Sequence, residues 1–391
     1  MRRLSQLLDH REREGGAVTL LVAILLGGGV LLGSIAMTVD VGNLRYERRQ
    51  LQNGADAAAL SAAMDCAKGA CPTASSSTVA GLVNDNAADG TSRVSRVNTS
   101  LPALCGAGPG LPSCPALSGT LGDCPTPLGP TPNYVRVYTQ TRMADGSTLL
   151  PYSFAQALSG AFVGGTQQTC AAAGWGPPSQ ALVPLPFAIS SCEWYQSTSN
   201  GTAFKPAPPY TSSNPANPAW EIALALNSAP NAACSSWAGH DYPGGFGWLT
   251  HTSSCAVSVD ANGWVGASTG IGAGNDCGDT IEAKVGSVVY VPVFDCIDDS
   301  KNFCPGITPS GSNSWYHIKG LAAFYITAVE VTGQVKANLP GYPTSTARAA
   351  CATKGGGKCF YGWFVKDLIP ADAVVSGTAP DLGLTALTVL G

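Results

Sequence analysis

The pattern of hydrophobic and polar residues changes abruptly near residue 40. Residues 17–39 read AVTLLVAILLGGGVLLGSIAMTV and contain no charged side chain, whereas Glu14 and Asp40 bracket the run. At 1.5 Å per residue, a helix of this length covers roughly 34 Å, enough for the hydrocarbon core of a bilayer. The pattern predicts a transmembrane helix over 17–39 that follows a cytoplasmic arm over 1–16.

An amphipathic helix is predicted over residues 40–65. Apolar or small side chains recur at helical spacing on one face, with Arg48 at the one skipped position of that face. The face consists of Val41, Leu44, Leu51, Ala55, Ala58 and Ala62. Because no turn signal separates this segment from the apolar run, we expect residues 17–64 to form one long helix.

The remainder of the chain is rich in turn signals, with 47 Gly and 28 Pro in the sequence. Residues 66–132 predict a Cys/Pro/Gly-rich looped segment with one short helix near 78–88. In residues 133–391, short runs of β-branched and aromatic residues predict an antiparallel sheet with short helices, one of them over 152–162. The strand candidates are 133–141, 220–226, 287–294, 320–331 and 360–365. The fold class predicted for the whole is α+β: a long N-terminal helix and a mostly antiparallel, disulfide-rich head.

Fourteen cysteines lie between Cys66 and Cys359, and none precedes Cys66. No C-x-x-C spacing occurs and only four His are present, a pattern that favours disulfides over zinc. Disulfides form in oxidising compartments, so the head is expected outside the cytoplasm and the N-terminus inside. The sequence therefore predicts a single-pass protein of the cell membrane, although it does not choose among the cysteine pairings.

A cleaved signal peptide is the competing interpretation of the apolar run. Ser34, Ile35 and Ala36 place small residues at the spacing of a cleavage site. The run is longer than an ordinary signal core and continues into the next helix, which favours an uncleaved anchor. Whether the anchor is cut after Ala36 stays open at this point.

Charge excludes one class of partner. Charged residues make up 12% of the chain and its net charge is −4, so it lacks the basic surface that nucleic-acid binding requires. We expect no nucleic acid as a partner.

Few residues are candidates for chemistry. Ser268 stands in a G-x-S-x-G string over 266–270, but more glycines follow where a nucleophile elbow needs a helix. The histidines and an aspartate cluster lack the spacing of a catalytic or calcium site, and these residues are His240, His251, His317, Asp295, Asp298 and Asp299. The aromatic residues Trp237, Phe246 and Trp248 are interpreted as core rather than as a contact surface. We expect no enzyme activity, catalytic residue, cofactor or metal.

The N-terminal strings carry a family resemblance. GGAV at 15–18, VDVG at 39–42, RRQLQN at 48–53 and ADAAAL at 55–60 resemble the N-terminal domain of TadE/G-like Flp pilus-assembly proteins over about 14–64. The resemblance implies a non-enzymatic, membrane-anchored, extracytoplasmic component of pilus assembly, minor pilin-like or an assembly factor. It also implies that the N-terminal helix contacts the lipid bilayer and other pilus-assembly or pilin-like proteins.

One position departs from the processed members of that group. Processed pilins have a Glu five residues after the cleaved Gly, and here that position is Leu20 or Leu21. This disfavours processing as a pilin. The alternative functions left open are an adhesin-like binding module on the same anchor and a surface hydrolase that uses Ser268.

Overall fold

A computed structural model of the chain describes most of the 391 residues. The described residues are 16–73, 76–87, 93–94, 102–117, 121, 124–125, 133–158, 160–226, 246–268, 277–301, 314–331, 334–354, 358–369, 374–375 and 378–390. Their helices are α1 over 16–27, α2 (Val30–Ala67), α3 (Ser77–Asp85), α4 (Ala155–Leu158), α5 (Ser191–Ser197), α6 (Gly278–Glu282) and α7 (Ser345–Lys354), with a short 3₁₀ turn at Pro218–Trp220.

The strands of the described residues form two large and two small sheets. In chain order they are β1 (Arg93–Val94), β2 (Leu104–Ala107), β3 (Asn133–Gln140), β4 (Leu150–Pro151), β5 (Gly164–Gly165), β6 (Gln168–Gly176), β7 (Pro178–Val183), β8 (Phe187–Ser190), β9 (Ile222–Ala225), β10 (Phe246–Trp248), β11 (Val257–Asp260), β12 (Gly263–Gly266), β13 (Val288–Asp298), β14 (Trp315–Glu330), β15 (Lys336–Ala337), β16 (Cys359–Val365), β17 (Asp367–Ile369), β18 (Val374–Val375) and β19 (Leu384–Leu390).

The first large sheet supports the long helix. Its strand order is β1-β3-β6-β19-β17, with β2 on β3, and only the β17/β19 pair is parallel. Val135 and Val137 of β3, Ala171 and Ala173 of β6 and Leu387 of β19 share one core with α2. Within residues 66–132, α3 confirms the short helix predicted near 78–88, and the segment also contributes β1 and β2 to this sheet, which were not predicted.

The second large sheet forms the centre of the head. Its order is β10-β8-β13-β14-β16-β9, with β12 and β15 also on β14, and only the β8/β13 pair is parallel. Strand β14 is buried on both faces: Phe324 and Ile326 enter one hydrophobic core, and Ala323 and Tyr325 enter another. The prediction of an α+β fold with mostly antiparallel sheets is confirmed.

Disulfides cross-link this fold, as the cysteine pattern predicted. Every cysteine among the described residues is bonded. The pairs are Cys66–Cys71, Cys105–Cys114, Cys124–Cys170, Cys255–Cys277 and Cys351–Cys359, and Cys192 and Cys296 are also disulfide-bonded. Cys124–Cys170 ties the Cys-rich segment to β6, so it closes the side of the first sheet that faces away from α2.

The prediction of one unbroken helix over 17–64 is wrong. Gly28 and Gly29 form a turn between α1 and α2, and Gly29 has φ 71°, which glycine adopts without strain. Three consecutive glycines at 27–29 weaken the helix at that point. Within the described residues, none of the helices is both long enough and apolar enough to cross a membrane.

The helix predicted over 152–162 is also largely wrong. Of the described residues in that range, Ala155–Leu158 are helical, and the flanking β4 and β5 pair as a two-stranded hairpin. Gly160 weakens the predicted helix from within, and Pro151 and the Gly164/Gly165 pair bound it, because both residue types interrupt helices.

Candidate functional site

Burial changes along α1 and α2, which together we call the N-terminal helix. From Leu51 onward the helix packs on the first sheet and on α3, and the buried side chains of this part are Leu51, Ala55, Ala58, Ala59, Ala62, Ala63 and Cys66. The alanines are small enough for the helix to lie close against the sheet. We call residues 51–67 the docked half of the helix.

Gly54 marks the closest approach in the docked half. A Cβ built on it would lie 3.1 Å from both the Cα and the carbonyl oxygen of Val83 in α3. Because those atoms are backbone, they cannot move aside as a flexible side chain could. Helix packing therefore explains why position 54, between the RRQLQN and ADAAAL strings, is a glycine.

Polar contacts also hold the docked half. Gln52 donates from Nε2 to Asp56 Oδ1 at 3.0 Å and to the carbonyl of Cys170 in β6 at 3.1 Å. The hydroxyl of Thr139 in β3 donates to the carbonyl of Leu51 at 3.2 Å and lies 2.6 Å from the hydroxyl of Thr169. Buried hydrogen bonds of this kind fix the register of the helix on the sheet.

Residues 16–39 have a different environment. Most large apolar side chains there are exposed, among them Val18, Leu20, Leu21, Val22, Ile24, Leu26, Val30, Ile35 and Met37. A continuous apolar surface of this kind is unusual on a protein in water and marks a contact site. We call residues 16–39 the apolar half of the helix. Gly29 and Gly33 stand four residues apart in this half, and a Cβ at either position meets nothing within 4 Å.

Asp40 lies where the apolar half ends, and it is only 4% exposed. Its carboxylate accepts backbone N–H bonds from Ser153 at 2.8 Å, Ala155 at 2.7 Å and Phe154 at 3.3 Å. Burial raises the pKa of Asp40, but the N–H donors of Ala155, Phe154 and Ser153 together outweigh it and hold the pKa below its ordinary value. The carboxylate thus fixes the β4–β5 segment to the helix.

The predicted face of the helix needs a correction at two positions. Val41 and Arg48 were expected on the packed face, but both are exposed, and the adjacent Asp40 and Glu47 are the more buried residues. Leu44, Leu51, Ala55, Ala58 and Ala62 lie on the packed side as predicted. The packed face therefore follows Ala36, Asp40, Leu44, Glu47 and Leu51, a spacing of three and four.

The three histidine candidates do not form a common site in the described part of the chain. His240 lies outside the described residues. His251 has both ring nitrogens 3.8 Å from Cys277 Sγ, yet Cys277 is in the disulfide with Cys255, so neither sulfur is available as a thiolate ligand. His317 Nδ1 lies 2.6 Å from Asp295 Oδ1, and this hydrogen bond, against the opposing effect of burial, raises the pKa of His317.

The remaining candidates are placed as follows. Asp298 is buried and accepts from the N–H and hydroxyl of Ser300, and Asp299 is exposed. Ser268 donates its backbone N–H to Trp248, and the residues that follow it, 269–276, lie outside the described residues. Trp248 is in the core, as expected, whereas Trp237 and the side chain of Phe246 lie outside the described part.

An open cleft of about 380 Å³ lies beside the paired strands β12 and β14. Trp264 of β12 and Trp315 of β14 line it together with His251 and the hydroxyl-bearing Thr250 and Ser258. The ammonium of Lys301 lies 3.5 Å from the ring centre of Trp315. This cleft was not predicted, because its two tryptophans lie about fifty residues apart in sequence and are brought to the cleft by the pairing of β12 with β14.

The comparisons with known proteins concern the N-terminal helix. Residues 16–65 match the family model Tad, described as putative Flp pilus-assembly TadE/G-like. No curated protein and no solved structure matches the chain. The matched residues cover the apolar half, Asp40 and nearly all of the docked half, so the resemblance inferred from the sequence is confirmed for this segment.

Proposed function

We propose that this chain, whose residues 16–65 form a Tad domain, is a non-enzymatic, membrane-anchored component of Flp pilus assembly. The domain indicates a part in that assembly. The proposal adds three points to this. The chain is anchored in the bilayer, its head lies outside the cytoplasm, and it acts as an assembly factor or as a minor pilin-like subunit.

One observation supports the proposal above all. The family match coincides with the helix whose two halves differ, one buried against the head and the other exposed and apolar. Residues 17–39 carry no charge across both α1 and the start of α2. Glycine interruptions are tolerated in membrane helices when neighbouring groups satisfy the freed backbone. Here the amide of Gly33 still bonds to the carbonyl of Gly29 at 2.7 Å.

The disulfides support a head outside the cytoplasm. Every described cysteine follows the apolar half and is bonded, which suits an oxidising compartment outside the cytoplasm. Partners are proposed to be the lipid bilayer around residues 17–39 and other pilus-assembly or pilin-like proteins that contact the N-terminal helix.

Fractionation of cells that express the full chain tests the anchor. The chain should remain with membranes after alkaline carbonate extraction, and added protease should degrade the head in spheroplasts. A variant with Leu20→Lys, Leu21→Lys and Ile24→Lys should move to the soluble fraction, since charges are costly in hydrocarbon. Leu182→Lys, at an exposed position of β7 in the head, is the matched control and should stay in the membrane. Extraction of the unmodified chain by carbonate, or a protease-resistant head in spheroplasts, would contradict the proposal.

Deletion of the chain in a strain that carries it tests the role in assembly. Surface pili should be lost, and the full chain should restore them whereas the triple lysine variant should not. Normal pilus numbers after deletion would remove the assembly role even if the anchor is correct.

The tryptophan cleft favours a second candidate function, an adhesin-like head on the same anchor. Flat aromatic faces beside hydroxyl groups suit carbohydrate ligands, because sugars offer both C–H and O–H surfaces. A glycan array probed with the full chain in detergent checks this idea. Binding that is lost in Trp264→Ala but kept in Leu182→Ala would support it, and a blank array would exclude it for the glycans present.

A further inference from the structure

The hairpin beside Asp40 has an unusual surface. Four of its apolar side chains are exposed: Leu149 by 39%, Phe154 by 47%, Phe162 by 55% and Val163 by 52%. Elsewhere in the described head, the large apolar side chains with comparable exposure are Leu182 and Val389. We call the described residues of 149–165 the junction hairpin.

Charge is absent from this part of the sequence. Residues 146–166 read GSTLLPYSFAQALSGAFVGGT and contain no acidic or basic side chain. Exposed loops of soluble proteins are ordinarily polar, so an uncharged segment with exposed phenylalanines is unusual in water. The same composition suits the boundary between lipid headgroups and acyl chains.

The position of the hairpin is fixed by the helix. Asp40 binds the amides of residues 153–155, and a Cβ on Gly165 would lie 3.2 Å from a methyl group of Leu44, one turn further along α2. Ala36, one turn before Asp40, is only 3% exposed and lies on the same face as Asp40. The junction hairpin therefore lies against the helix at the end of the apolar half.

The hairpin lies next to the apolar half, so the surroundings of the apolar half indicate what covers the hairpin. If residues 17–39 lie in a bilayer, Asp40 lies at its outer boundary, and the hairpin attached to Asp40 lies at the same depth. The apolar surface of the hairpin is then continuous with that of the helix. A water-soluble partner would have to cover a surface that the lipid headgroups already reach.

We propose that the junction hairpin inserts Phe154, Phe162 and their apolar neighbours into the lipid interface as a second membrane contact. This inference rests on the proposed anchor. The contact would fix the tilt of the head relative to the membrane, because two points of attachment remove the free rotation that one helix leaves. Asp40 acts as the positioning residue that holds the hairpin at this depth.

Depth-dependent fluorescence quenching tests the inference with the full chain. An environment-sensitive fluorescent amino acid is placed at position 162, and in separate samples at position 24 in the apolar half and at position 182 in the head. Each protein is reconstituted into phosphatidylcholine/phosphatidylglycerol vesicles that carry a spin label either near the headgroup or deep in the acyl chain. The expected result is strong quenching at 162 by the shallow label, at 24 by the deep label, and at 182 by neither.

The three positions distinguish the possible failures. Quenching at 24 without quenching at 162 would overturn the hairpin contact and leave the anchor standing. No quenching at 24 would overturn the anchor, and the hairpin proposal with it. A blue shift at 162 that depends on protein concentration in detergent, without quenching in vesicles, would assign the surface to a second copy of the chain and likewise overturn the lipid contact.

A double variant distinguishes loss of the lipid contact from loss of the fold. Phe154→Ser with Phe162→Ser should keep the disulfides and the thermal unfolding of the protein in detergent, because both side chains are exposed. In vesicles, chymotrypsin should then cut Tyr152 of the double variant several-fold faster than Tyr152 of the unmodified chain. Equal rates would contradict the proposal, and Leu182→Ser serves as the matched control.

Discussion

The two halves of the N-terminal helix have similar apolar content but opposite surroundings. Residues 51–67 use alanines, which let the backbone lie close to the sheet, and they gain hydrogen bonds from Gln52 and Thr139. Residues 16–39 use larger side chains such as leucine and isoleucine, and most of the described ones are exposed. Side-chain size therefore distinguishes the half that packs on protein from the half proposed to contact lipid.

The largest expected effect concerns the sheet beneath the docked half. Cys124–Cys170 closes a loop with a sequence separation of 46, and Cys66–Cys71 at the end of α2 closes one of only 5. In the loop-entropy model, removing the first disulfide should cost about 4 kcal/mol of unfolding free energy and removing the second about 2 kcal/mol. Chemical denaturation of the Cys→Ala double variants in detergent measures both. A larger loss for Cys66/Cys71 would show that the end of the helix, not the sheet, limits stability.

Gly54→Val is expected to have the next largest effect. The new side chain would meet the backbone of Val83, and overpacking of this kind should cost about 2 kcal/mol. Gly42→Val is the matched control, since a Cβ there meets nothing within 4 Å. Thermal unfolding should separate the two variants clearly. Equal melting temperatures would mean that α3 does not pack against the helix as described.

Asp40→Ala should loosen the junction without unfolding the head. Three backbone amides lose their acceptor, so hydrogen exchange at residues 153–155 should accelerate, while exchange in residues 51–66 stays slow. Asp40→Asn should have a smaller effect, because its carbonyl oxygen can still accept one bond. Unchanged exchange at 153–155 in both variants would rule out the positioning role.

Acid should act on the same contact. Because the folded-state pKa of Asp40 lies below the ordinary value of 3.8, its stabilising contribution is complete above that value and is lost as the pH falls through the folded pKa. The protection factor against exchange at 153–155, which corrects for the intrinsic pH dependence of exchange, should therefore fall only below about pH 4 in the unmodified chain.

His317 should give the smallest effect, at a different pH and away from the helix. The hydrogen bond to Asp295 raises its pKa above 6.5, so its contribution is complete below that pH and is lost as the pH rises through the folded pKa. Asp295→Asn should lower the titration midpoint of His317, measured by NMR, and Asp40→Ala should not. A midpoint that is unaffected by Asp295→Asn would contradict the pairing.

The sequence predicted those features that depend on local pattern. Strands β3, β13, β14 and β16 were found because runs of valine and aromatic residues mark buried strands. The alanine face of the docked half was found because its helical period is clear. Disulfide formation was predicted, but the pairings needed the structure.

The missed features depend on contacts between distant residues. Val41 was predicted on the packed face of the helix, but the neighbouring Asp40 lies there instead. The backbone amides that bind the Asp40 carboxylate belong to residues 113 to 115 positions later, so the local sequence gives no sign of them. Strands β1 and β2 were missed because short segments become strands only when β3 is beside them. The turn at Gly28 and Gly29 had a local signal in three consecutive glycines, which the uninterrupted apolar pattern outweighed.

Photolabelling from the lipid phase can show whether the two halves of the N-terminal helix differ in their contact with lipid. The full chain is reconstituted in vesicles whose acyl chains carry a carbene precursor, and labelled residues are located by mass spectrometry after irradiation. We expect label on side chains between Val18 and Met37 and none on those between Leu51 and Cys66. Label distributed evenly along the helix, or absent from residues 18–37, would contradict this expectation.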